Sequence, residues 1–133
     1  MQRRKFIQIS AVGGAAISIT GISCGQRSPA SYDLLAKPIE LAQICDLKTL
    51  REIGTSFRLQ APSEREGDKL VTLLLTDTDG DRVPAASDDL AIRYLISRKI
   101  RQDFETGHTV IVKGWILAVT EARQCALLVV KNP

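Results

Sequence analysis

The chain has 133 residues, 44% hydrophobic and 5% aromatic, with 18 Lys+Arg against 15 Asp+Glu and a single histidine. Arg3, Arg4 and Lys5 account for the whole excess of positive charge, because no acid precedes Asp33 and the rest holds 15 cations and 15 acids. That balance, with no basic stripe interleaved with aromatics, excludes nucleic acid as a partner, and the length supports one small domain with one core.

The stretch from Phe6 to Ile22 is apolar and uncharged, yet diluted by Gly13, Gly14 and Gly21 and by the hydroxyls of Ser10, Ser18 and Thr20. It falls short of the roughly 20 apolar residues a membrane span needs. With Arg3-Arg4-Lys5-Phe6 ahead of it, this segment resembles a twin-arginine (Tat) export signal, whose route carries proteins across the membrane already folded. Residues 1–24 are therefore read as a signal segment met by the Tat translocase in transit, with an uncleaved single-span anchor as the alternative. Gly21-Ile22-Ser23-Cys24 resembles a lipobox, which makes Cys24 a lipidation candidate, although Gly21 stands where leucine is usual. The competing cut follows Ala30, after the small residues of Ser28-Pro29-Ala30. The expected destination is the periplasm or the outer face of the membrane, held there by the signal or a lipid anchor.

Residues 25–31 are polar and turn-rich and read as a linker, leaving residues 32–133 as a single domain. Pro38 divides the opening of that domain into a short helix or turn and an extended piece, Ile39 to Ile44. Asp46 is placed to cap a helix carrying Leu47, Leu50, Ile53, Gly54 and Phe57 at helical spacing, with Pro62 marking its end. Ser63-Glu-Arg-Glu66 has the pattern of a capping box opening a helix through Leu70, Val71 and Leu73 to Leu75. A third helix is predicted from near Ser87, with Ile92, Leu95, Ile96, Ile100 and Phe104 on one side, closing at Gly107. Thr109 to Val112 is β-branched throughout and reads as a strand, with Trp115 to Val119 continuing it. Thr120-Glu-Ala-Arg then has the look of a cap, with Thr120 opening a last helix through Cys125 to Val130. The predicted fold is mainly α, about four helices with a minor β element near the C-terminal end.

The pattern bears on five kinds of chemistry. Asp77, Asp79, Asp81 and Asp88 stand at the first, third, fifth and twelfth positions of a segment between two predicted helices, which resembles an EF-hand calcium loop. Arg82 replaces the turn glycine and Pro84 lacks the N–H that paired loops use, so an acidic interhelix turn with Asp88 or Ser87 as cap is the competing reading. Cys45 and Cys125 are the thiols left once Cys24 is assigned to the signal; they either pair as a disulfide or are separately buried. A zinc site is disfavoured, since His108 is alone and no CxxC exists. Catalysis by His108 would need Asp103, Glu105 or Glu121 in the same pocket, and no nucleophile motif accompanies it, so no catalytic residue and no cofactor is assigned to this chain. Trp115, Glu121 and Arg123 are candidates for binding a partner; alternatively the tryptophan anchors the core, Glu121 favours the helix N-terminus and Arg123 faces solvent.

A Tat-type signal followed by one small helical domain is similar in architecture to the small accessory subunits of exported oxidoreductases, such as those of flavin-dependent sugar dehydrogenases. That resemblance implies a non-catalytic subunit that lends its signal to a larger, cofactor-bearing partner lacking one. The alternative expectation is a stand-alone envelope lipoprotein or binding module, stabilised by calcium at the aspartate loop.

Overall fold

A computed structural model describes residues 30–84 and 87–133. The expectations placed on Arg3, Arg4, Phe6 and Cys24 lie outside the described residues. No helix among the described residues is long and apolar enough to cross a membrane.

The domain is mainly helical with a two-stranded antiparallel sheet near its C-terminal end, as the patterning predicts. Helix α1 spans Ala30–Leu35, so the helical chain begins two residues inside the segment expected to be linker. After Pro38 the chain makes a single 3-10 turn, Leu41–Gln43, where an extended piece was expected. The turn drives Leu41 into the core, while Cys45 is buried just beyond it. Helix α2 spans Leu47–Gln60 and is capped as its sequence requires, with Asp46 Oδ1 accepting the Thr49 N–H at 2.8 Å. That hydrogen bond holds the Asp46 carboxyl below its ordinary pKa. Leu50, Ile53, Gly54 and Phe57 of α2 are buried; Leu47, assigned to the same stripe, is 60% exposed.

The capping box at Ser63 does not form. Pro62–Glu64 is a 3-10 turn with Ser63 inside it, and α3 spans Gly67–Leu75, with Glu66 as an N-cap that makes no side-chain bond. Proline at the first position fixes φ for a tight turn that takes in Ser63, and the neighbouring Glu64 is held by Arg123, 59 residues away. Helix α4 spans Asp89–Thr106, capped by Asp88 Oδ1 on the Ala91 N–H at 2.8 Å and closed by Gly107 in the left-handed conformation. Its buried stripe is Ile92, Leu95, Ile96, Lys99 and Ile100; Phe104, expected on that side, is 47% exposed.

Strand β1 is Thr109–Val112 and β2 is Trp115–Ala118, paired antiparallel with Val112 opposite Trp115. The second apolar run therefore folds back on the first instead of continuing it. The reversal is made by Lys113 and Gly114, both at positive φ (53° and 86°), as a two-residue hairpin turn requires. Val119 leaves the strand and starts α5, Val119–Lys131. This helix is the centre of the domain: α2, α3, α4 and both strands touch it, and Ala122, Cys125, Ala126 and Leu127 are fully buried. Small residues there allow the neighbouring backbones to come close, and the closest approach is Gly54 of α2 against the backbone of Cys125. Lys131 ties the far end of α5 to α1, 2.7 Å from Asp33 and over the ring of Tyr32.

Candidate functional site

The polar side chains of the domain gather where α4, the hairpin and α5 meet. A cavity of about 280 Å³ at the first turn of α5 is lined by Asp77, Lys99, Asp103, His108, Thr120 and Arg123, among others. The structure thus brings two of the catalytic candidates together, His108 Nδ1 lying 3.4 Å from Asp103 Oδ1, whereas Glu105 and Glu121 do not line the cavity. Asp103 reaches it from the last turns of α4, and its other oxygen accepts the Thr120 N–H at 2.8 Å. A carboxylate of the chain itself thereby occupies the place at the start of α5 where the helix dipole would attract an anion. Thr120 is 1% exposed, and its hydroxyl has no hydrogen-bond partner among the described residues.

Lys99 is the residue that sequence reading missed. It is 7% exposed, and its ammonium donates to the carbonyls of Leu73 (2.5 Å), Leu74 (3.2 Å) and Thr76 (2.7 Å) at the end of α3. Three protons meet three acceptors, so the group is saturated although it lines the cavity. Burial, with Arg123 as a second cation nearby, lowers its pKa to about 8; Asp103 and Asp77 pull the other way. The signal was its spacing, since position 99 falls on the stripe of Ile92, Leu95, Ile96 and Ile100.

The other candidates are engaged within the fold. Glu121 is 6% exposed and its Oε1 accepts the Ala118 N–H at 3.0 Å, which makes Ala118 the cap of α5 rather than Thr120. Burial pushes the Glu121 carboxyl up, against the opposing effect of that N–H. Arg123 does not face solvent: it grips Glu64 with two hydrogen bonds of 2.8 and 3.0 Å and holds the Glu64 carboxyl below its ordinary range. Trp115 is partly buried and packed against the core.

In the aspartate segment, Asp77 Oδ1 accepts the N–H groups of Asp79 and Asp81, each at 2.9 Å, and a short bridge pairs Thr76 with Arg82. The turn closes on its own backbone, and Asp88 is committed to capping α4. No three His, Cys, Asp or Glu side chains among the described residues stand close enough to hold a metal ion. Cys45 and Cys125 are separate buried thiols. Burial pushes Cys125 up to about 12 and raises Cys45 as well. Iodoacetamide is expected to label neither in the folded protein and both once the chain is unfolded without reductant. Failure to label after unfolding would mean that the two are paired.

Compared with known protein families, with curated proteins and with solved structures, the chain matches none of them.

Proposed function

We propose that this chain is an exported, non-catalytic accessory subunit that binds and co-exports a larger cofactor-bearing oxidoreductase. The observation that carries this reading is the distribution of side chains. Lys99, Asp103, Glu121 and Arg123 are each bonded to groups of the domain itself, while large aliphatic side chains stand in solvent. Leu47 is 60% exposed and Ile39 40%, both at the edge of a cleft with Pro38, Ala42, Leu50 and Leu128 in its lining. Single exposed leucines are ordinary, but exposed side chains bordering an apolar cleft mark an interaction surface. Folded export also suits a partner that acquires its cofactor before crossing the membrane.

Affinity purification of the tagged full chain from its native envelope fraction tests the reading. A stoichiometric larger protein with visible absorbance is the expected result. A chain that elutes alone and colourless removes the accessory role and leaves the envelope binding module as the better reading.

A further inference from the structure

Two apolar clefts flank a ridge made by Lys37 and Ile39, the residues common to both linings. The first, about 120 Å³, lies between the ridge and α4, with Ile92, Ile96 and Ile100 in its walls. The second, about 360 Å³, lies between the ridge and α2, with Leu47, Leu50 and Leu128 in its walls. Leu47 connects this second cleft to a shallow groove along α2 that ends at Lys113 on the hairpin turn.

The charges around this surface are lopsided. The first cleft is edged by Lys37, Arg93 and Glu40, and the groove by Lys48, Arg51, Lys113 and Glu52. Five cations thus face two carboxylates, in a chain whose charges balance outside Arg3, Arg4 and Lys5. Lys48 is paired with Glu52 at 3.6 Å, and Arg51 donates to the backbone carbonyl of Asn132.

A concave apolar surface with a net cationic rim admits an anionic bilayer or an acidic protein segment. Shape and charge placement favour the segment. A bilayer rewards protruding apolar side chains among uniform cations. Here Ile92, Ile96, Ile100 and Leu50 lie buried in the cleft walls behind the exposed Ile39 and Leu47, and Glu40 and Glu52 lie among the cations. An apolar centre with a mixed, mostly complementary charged rim is the anatomy of a protein interface.

We infer that the Lys37–Ile39 ridge and its two clefts are the docking surface for an apolar segment of the partner subunit that carries carboxylates at its flanks. This rests on the accessory reading above. Aliphatic side chains of that segment enter the clefts on either side of Ile39, and its carboxylates meet Lys37 and Arg93.

A photoreactive residue placed at Ile39, at Leu47, or at Ile116 on the outer face of the hairpin, in the full chain within its native envelope, tests the inference. Crosslinked peptides are read by mass spectrometry. Positions 39 and 47 are expected to capture one stretch of a large protein, apolar and flanked by Asp or Glu, while position 116 captures none of it. Lys37→Glu with Arg93→Glu is expected to lower that yield about tenfold without moving the thermal midpoint. Capture of lipid, of a second copy of this chain, or of a segment lacking carboxylates at positions 39 and 47 overturns the docking surface. So does capture of the large protein from position 116 alone, which leaves the accessory role standing. If no position captures a large protein and none co-purifies, the accessory reading fails together with the surface.

Discussion

Gly54→Ala is expected to destabilise this domain more than any other exchange of its size. In an isolated helix the change from glycine to alanine favours the helix by about 1 kcal/mol. Here a Cβ at position 54 would collide with the backbone carbonyl oxygen of Cys125 and lie 2.8 Å from Cγ2 of Val129. The obstacle is main chain in the middle of α5, the most buried helix, so it cannot move aside as the end of a side chain can. Helices α2 and α5 have to separate, which opens gaps around Ile53 and Phe57 on one side and Ala126 on the other, all of them buried. Overpacking of this kind costs about 3 kcal/mol, enough to lower the midpoint of a domain of roughly 100 residues by about 15 °C. Thr55→Ala, one residue further along and exposed, serves as the control and should leave the midpoint nearly unchanged. Equal melting of the two variants would show that the close approach of α2 and α5 contributes nothing to stability.

The same glycine shows how much of this fold is legible in the sequence. Its place on the inward stripe with Leu50, Ile53 and Phe57 follows from helical spacing, and Asp46 and Asp88 announce the starts of α2 and α4 because capping is a local interaction. What spacing does not reveal is the neighbour, here a carbonyl 71 residues away in α5. The errors have the same origin. Ser63, the expected cap of α3, lies instead inside the turn opened by Pro62, where Glu64 is held by Arg123 across the domain. Thr120 was expected to cap α5, but its N–H is taken by Asp103 of α4, and Glu121 reaches back to Ala118. The hairpin escapes a sequence reading for a local reason: Lys113-Gly114 is a weaker turn signal than Asn-Gly, and the two apolar runs separated by it read as one strand. At the polar cavity, Asp103 and His108 are legible as a pair only if the fold brings them together, and Lys99 is not legible because the charge of a lysine ordinarily keeps it in solvent.

Lys99 is also where the second large effect is expected, and its sign can be worked out. In the unfolded chain its pKa is the ordinary 10.5 and in the folded domain about 8, because burial disfavours the charged form. Between those values the unfolded chain binds a proton that the folded domain does not, so folding stability attributable to this group rises as the pH increases from 8 towards 10.5. The full shift corresponds to about 3 kcal/mol, an upper bound because the three carbonyls around the ammonium favour keeping its proton. Lys99→Met removes both the titration and the donor. At pH 7 the variant escapes the cost of a buried charge but leaves the carbonyls of Leu73, Leu74 and Thr76 without their partner, for a net loss of about 1–2 kcal/mol. As the pH rises, the native domain gains stability and the variant does not, so the gap between them should widen. Urea unfolding of both proteins at pH 7 and pH 9.5 measures that gap directly, because the titrations they share cancel in the difference. Parallel stabilities at the two pH values would mean that Lys99 keeps its proton throughout and that its three carbonyl bonds outweigh its burial.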